Sequence, residues 1–535
     1  MSHLQSKNFR TKINKTKKEP KMKKLLLSIA SVIASGAITL QASVEKLATA
    51  QVTDIPTIIS TATIAGELVG YPIFGTVAAM AISENNPAAP YTGPLKSGSG
   101  IALEVYGETE FGQFSENAEA FLDSLALGII FSPNGGKEGY LAAMKGGVDN
   151  GDGTFTVKNL KNREEHFVVF SANGEWAAIS DKKDYAIRAL ADLADAEQAM
   201  TVLDGGVVRL AVTPAAMNIV SKAIDEIMPM LAESDPQNAE LLAACFDIYK
   251  SIESFDVTAR LDARGLDFFG AMKPRAGTIF STIGTSGALG PNPFSAADPN
   301  AAYAMACTPN SGFDGPAYVN AIGNIVSFFS ENGLKTDWYK MEQKGSFYNM
   351  SLDLFGAIAY FTGEGEEASD KLDAEAFLQR FNGLLATCAL KEGAPEFGMS
   401  CSFPEVKLSA TPDQLLARTV PDYMERKSFA SCVFSLYAMV KGLAPKFIEM
   451  AAPPDEAQML NMMIAAMPAY QGAMVSMVSR EGDSFKYLFR ASADEIRGIA
   501  AIVNVGVSYF VLLTQKQMST SFQTLDDDDE DDYDE

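Results

Sequence analysis

Between Ser254 and Arg264 apolar and polar residues alternate without interruption. Phe255, Val257, Ala259, Leu261 and Ala263 fall on one side, and Asp256, Thr258, Arg260, Asp262 and Arg264 on the other. A period of two is that of a strand with one buried face. Ser484–Ile496 keeps the pattern with Phe485, Tyr487, Phe489, Ala491 and Ala493. Upstream the period lengthens. Met217, Val220, Ile224, Ile227 and Leu231 recur at helical spacing after Thr213-Pro214, which reads as an N-cap followed by a first-turn proline. Asp235-Pro236 opens a second predicted helix that buries Leu241, Cys245, Ile248 and Ile252, and counterparts begin near Leu436 and Asp455. Gly153–Asn159, Glu164–Asn173 and Gly174–Ser180 are short β-rich runs separated by Asn/Gly turns, the pattern of antiparallel hairpins. The expected class is α+β, with helices on one face of antiparallel sheet.

The chain also echoes itself. Thr57–Leu68 (TIISTATIAGEL) matches Thr278–Leu289 (TIFSTIGTSGAL) without gaps, and Gly70 and Phe74 match Gly290 and Phe294. Glu175 and Asp184 fall on Glu405 and Asp413, and Ser254–Leu266 falls on Ser484–Ile496 with Arg260 on Arg490. Matches in one order predict two tandem homologous domains, 51–277 and 278–513, each an antiparallel sheet packed against helices.

Three other stretches are apolar. Leu25–Leu40 carries no charge and follows nine basic residues and one acid, Glu19. A basic region before a short apolar run is an export signal, here of bacterial type from Met22 onward, so residues 1–42 read as a basic extension and signal peptide. Met1 and Met22 both stand as starts, and Ala37, Ala42 and Ala50 as cleavage points. Ile58–Ile82 is broken by Glu67, Pro72 and several glycines, and Ile499–Leu513 is short, with Asn504 inside. Both are expected to be core, leaving no stable transmembrane span in the mature chain.

Charge narrows the class further. The 43 Lys+Arg against 67 Asp+Glu give a formal charge of −24. Removing the nine bases and one acid of the leader takes it to −32. That excludes a nucleic-acid binder, which needs a basic face. The last ten residues, Asp526–Glu535, are acidic apart from Tyr533, so 514–535 is expected to be a disordered tail. Five cysteines (Cys245, Cys307, Cys388, Cys401 and Cys432) leave at least one unpaired; Cys388 and Cys401 are spaced to close a loop, and buried free thiols are the equal alternative.

Recognisable chemistry is sparse. Beyond the leader there is one histidine, His166, at the start of an apolar run. That excludes multi-histidine metal sites and leaves any triad dependent on His166, which reads instead as a strand-end residue. Ser180-Asp181-Lys182-Lys183 fits S-x-x-K by letter but lacks the companion motifs. Val148–Phe155 (VDNGDGTF) fails the calcium-loop pattern at its first and last ligand positions and reads as a hairpin turn. Met450, Met459, Met462, Met463, Met467, Met474 and Met477 crowd one region, with core filling preferred over a partner groove or copper binding. Trp176 and Trp338 are the aromatics that would line a sugar site, with the core preferred for Trp176 on its alternating strand. Arg260 and Arg490 are placed either to anchor a ligand carboxylate or to pair with internal acids.

No catalytic, cofactor or metal-binding residue is assigned. The expected role is that of an exported periplasmic or extracellular protein without catalysis, built from a duplicated domain, that binds a protein or small-molecule partner and no nucleic acid. A hydrolase of glycans or peptides with paired carboxylates is the alternative, and a self-assembling component of the cell envelope is the third reading.

Overall fold

The computed structural model describes residues 44–526, except 74, 78–79, 82–87, 110–120, 122, 162, 193–204, 235–238, 285–286, 334–335, 364–373 and 388–390. Residues 1–43, with the expected signal peptide, and the acidic end beyond Asp526 lie outside the described residues.

Local patterning places most elements where expected. The hairpin runs form β5 (Thr154–Lys158), β6 (Glu165–Phe170) and β7 (Ala177–Ser180), paired antiparallel. With β1 (Val44–Val52), β2 (Ile101–Glu108), β3 (Ala126–Phe131) and β4 (Val148–Asp149) they make the outer part of the first half. Helices α1 (Ile55–Val69), α2 (Gly136–Ala143) and α3 (Lys183–Ala191) accompany them. Then follow β8 (Val208–Val212), α4 (Pro214–Ser234), α5 (Ala239–Lys250) and the hairpin β9 (Ile252–Asp262)–β10 (Gly265–Pro274). Thr213 caps α4 as expected, its Oγ1 accepting from the Ala216 N–H at 3.4 Å.

The second half begins with β11 (Tyr303–Cys307), α6 (Gly315–Glu331), β12 (Tyr339–Lys344), β13 (Phe347–Leu352), α7 (Leu354–Gly363), α8 (Ala374–Thr387), β14 (Phe397–Ser402) and α9 (Pro412–Thr419). It ends with β15 (Ser428–Phe434), α10 (Leu436–Ala451), α11 (Pro454–Ala465), the hairpin β16 (Met474–Glu481)–β17 (Ser484–Ser492) and α12 (Ala493–Asp526). Each half therefore carries a strand, two helices and a hairpin in that order toward its end, and the second half adds α12.

Two separate sheets were expected, and the structure has one. Among the described residues seventeen strands join in the order β4-β5-β6-β7-β3-β2-β1-β8-β9-β10-β17-β16-β15-β11-β14-β13-β12. All pairs are antiparallel except β13–β14. The halves meet where β10 pairs with β17, Gly265 opposite Ser492 through Met272 opposite Phe485. Both faces of the sheet are covered near this seam, not one: α4 lies on the side of Phe255 and Phe485, and Leu415 and Leu416 of α9 pack with Leu488 on the side of Arg490.

The matched segments do not all share structure. Thr57–Leu68 lies in the helix α1, whereas the described residues of Thr278–Leu289 hold a short 3-10 turn, Ile279–Ser281, and otherwise irregular chain. Ser254–Asp262 is the first strand of its hairpin, and Ser484–Ser492 is the second strand of the other. Asp184 and Asp413 do correspond, each second in its helix, α3 and α9.

The two apolar stretches expected as core are not buried throughout. In the first, Tyr71, Ile73, Val77 and Met80 are all at least half exposed. In the second, only 6% of an apolar window in Ala493–Gln515 is buried, and Phe510 is 70% exposed. This is the one helix among the described residues long and apolar enough to cross a membrane. It runs past Leu513 to Asp526, so the first part of the expected tail is helical.

α12 is anchored by its first turn. Glu495, fully buried, accepts from the Tyr437 N–H at 2.8 Å and so supplies the cap that Ser435 does not give α10. Burial pushes its carboxyl above the ordinary range against the pull of these bonds. A raised acid binds its proton more tightly folded than unfolded, so its contribution to stability falls as pH rises from the unfolded value through the folded one. Glu495→Gln keeps an acceptor without the charge. In urea unfolding we expect it to gain on the wild type between pH 4.5 and pH 7, whereas Glu495→Ala should lose about 0.5–2 kcal/mol from the missing cap. A Gln–wild-type difference that does not move with pH would refute this.

Candidate functional site

At the seam, strand alternation sends successive side chains to opposite faces. Phe255 of β9, Met272 of β10, Phe485 and Tyr487 of β17, Val478 of β16 and Phe429 of β15 share one face. They floor a cavity of about 870 Å³, within the ~300–1,000 Å³ range of small-molecule sites. Val212 at the end of β8 and Met217 and Val220 of α4, with Tyr249 and Ile252, form one wall. Phe280, Ile283 and Ser311 form the other. The apolar helix face expected at Met217 and Val220 is thus turned partly toward a void, and Val220 is 40% exposed at its mouth.

Two glycines hold the second wall in place. Gly284, at φ 66°, lies so close to Phe429 that a Cβ would come within 2.4 Å of its ring, and Gly312, at φ 91°, would bring one within 2.6 Å of Ile283. Both are left-handed positions that favour glycine. Arg480 braces the same turn from below, donating to the carbonyls of Ser281 (2.8 Å) and Ile283 (2.7 Å).

The opposite face of the seam carries an ion cluster. Asp267 of β10 sits across from Arg260 on β9 and Arg490 on β17. Arg490 donates to Asp267 through Nε (2.6 Å) and Nη2 (2.8 Å), and Arg260 through Nη2 (2.6 Å). Arg490 and Asp267 are both buried, and Arg490 also reaches the Thr419 carbonyl at 3.1 Å. The two arginines singled out by sequence thus converge on one internal acid. Asp267 itself carried no sequence signal, because β10 lacks clean alternation.

The other singled-out residues are occupied structurally. His166 is buried edge-on to Tyr91, with ring centroids 5.3 Å apart. Asp149 and Asp152 accept the Gly151 and Thr154 N–H groups of their own turn, and Asp152 pairs with Lys183. Gly151 and Gly153 have positive φ, as the hairpin reading expects. Ser180 Oγ accepts from the Lys182 N–H in a strand-to-helix turn. Trp176 packs against the cluster around Tyr106 and Ile130, and Trp338 against Phe329.

Of the methionines, Met467 and Met477 are core, while Met450 and Met462 are exposed, so core filling accounts for only part of the group. Met462 lines a second hollow of about 580 Å³ between α10 and α11. Cys307, Cys401 and Cys432 are free thiols that burial pushes up to about 11, so of the two readings open for Cys401 the structure has the buried thiol. Cys388 lies outside the described residues.

Paired acids do approach each other at Glu104 and Asp192. Both pair with Lys46, at 3.3 and 3.2 Å, and both accept from the Tyr106 hydroxyl. Glu104 and Tyr106 are buried, and neither acid lines the seam cavity or the second hollow.

The seam cluster generates a stability prediction. Asp267→Asn would leave two guanidinium groups on a neutral amide, and removing one partner of a buried pair costs about 3–5 kcal/mol. Urea unfolding should show a loss of that order, and a loss below about 1 kcal/mol would mean that water or other acceptors compensate. Compared with known protein families, curated proteins and solved structures, the chain matches none.

Proposed function

We propose that the chain is an exported, extracytoplasmic protein without catalysis of its own that binds an apolar small molecule in the seam cavity. The observation that carries this is the cavity itself: its walls come from both halves, and none of its lining residues is charged. A concave, apolar, preformed space at the junction of two halves is the usual setting of a ligand site. A carboxylate hydrolase would need its acids in a cleft, and Glu104 and Asp192 are closed onto Lys46 and Tyr106 instead.

We read the two halves as descended from one duplicated unit. The common order of strand, two helices and hairpin supports this, with β9 corresponding to β16 and β10 to β17. Export is supported by the basic region and apolar run of residues 1–42. Cleavage after Ala50 would remove Val44–Ala50 from β1, which pairs with both β2 and β8.

Two experiments test the reading. A neutral solvatochromic dye such as Nile red should light up on binding the purified mature chain, and Val220→Trp at the mouth should cut its affinity at least severalfold while the thermal midpoint stays put. No binding, or binding indifferent to Val220→Trp, would overturn the reading. N-terminal sequencing of the exported protein should return Ile38 or Ser43, and a chain starting at Gln51 would contradict the assigned strand.

A further inference from the structure

The residues that line the cavity carry no charge, so any charge near it comes from their neighbours in the chain. Charged side chains around it are almost all satisfied. Asp225 on α4 pairs with Lys250 on α5, and Glu253 pairs with Lys273 (2.8 Å). Lys222 reaches the Thr109 carbonyl at 3.5 Å, and Arg480 is spent on the backbone of the 280–283 turn.

Arg275 is the exception. Its backbone N–H donates to the Ser251 carbonyl at 2.8 Å, beside the lining residue Ile252. Its Nη2 lies 3.4 Å from Ser221 Oγ, beside the lining residue Val220. Its Nε is buried without a hydrogen-bond partner, and it makes no ion pair among the described residues. In a chain with 67 acids and 43 bases, an arginine without an acid is the unexpected case. A buried N–H without an acceptor is unfavourable, and a guanidinium is best matched by a carboxylate or phosphate.

Resting on the cavity reading, we propose that the ligand is an anionic amphiphile: an apolar chain fills the cavity, and a carboxylate or phosphate head sits on Arg275 at its mouth. The apolar lining supplies affinity without direction. Arg275 fixes which end of the ligand faces out.

The test uses the full mature chain, stripped of bound lipid, and two fluorescent probes of one chain, cis-parinaric acid and its methyl ester. The wild type should bind the acid about tenfold more tightly than the ester, the size of one hydrogen bond to a charged group. Arg275→Gln should abolish that preference and leave ester binding unchanged. Val220→Trp should weaken both probes equally. Displacing the acid with palmitate and with phosphatidic acid then shows which head is favoured.

If Arg275→Gln binds both probes as the wild type does, the anionic-head proposal fails and the cavity reading stands. If neither probe binds, or if Val220→Trp changes nothing, both fail together. A thermal midpoint within the error of the wild type shows that each variant is folded.

Discussion

The seam between the halves depends on one carboxylate. Asp267 takes hydrogen bonds from Arg260 on one neighbouring strand and Arg490 on the other, and so spans three strands of the sheet. Burying two guanidinium groups and an acid is costly, and such clusters are weak evidence for stability as such. Their consequence here is register. A slip of one residue between β10 and β17 would turn Arg490 to the other face and leave Asp267 facing only Arg260. The same slip would carry Phe485 and Tyr487 away from the cavity side and bring Lys486 there, so the apolar alternation of β17 and the ion cluster enforce one register together.

The cavity inherits that register. Its floor combines Phe255 and Met272 from the first half with Val478, Phe485 and Tyr487 from the second. None of these reaches its place unless β10 and β17 pair as they do. The sheet runs through the seam, but the layer above it does not: α4 and α5 end the first half's cover, and the second half answers with the turn around Ile283 and the loop at Ser311. A helix layer interrupted over an uninterrupted sheet leaves space, and the strands beneath it supply the apolar surface.

Sequence periodicity revealed the parts whose causes are local. The spacing of Met217, Val220 and Ile224 showed a helix, its Thr213-Pro214 start was readable, and the β5–β7 hairpins followed from their turns. The seam was not readable, since β10 and β17 pair across more than two hundred residues and β10 reads Gly-Leu-Asp-Phe-Phe-Gly-Ala-Met, without alternation. The letter matches failed for a related reason. Thr, Ile, Ser and Gly recur at Thr57 and Thr278, yet Asp54 caps a helix before the first, and Gly284 and Gly287 turn the chain at the second. Arg260 and Arg490 were noticed as recurring polar residues, but only the fold could bring both to Asp267.

The long helix α12 shows why hydropathy does not settle placement. Its apolar residues divide between two sides. Ala501, Ile502 and Val505 pack on Tyr437, Ile464 and Met467, while Val503, Val507, Phe510 and Val511 face outward. Its polar residues fasten it to the domain: Glu495 caps α10, Tyr509 bonds Glu456 on α11 at 2.7 Å, and Asn504 accepts from the Tyr71 hydroxyl at 2.9 Å. A helix crossing a bilayer alone would have to give up all three bonds and draw Glu495 out of the cap it supplies. The apolar content that passes the length test for a membrane span is thus partly spent on the domain, and what remains is an outward stripe beside the exposed Tyr71, Ile73 and Val77.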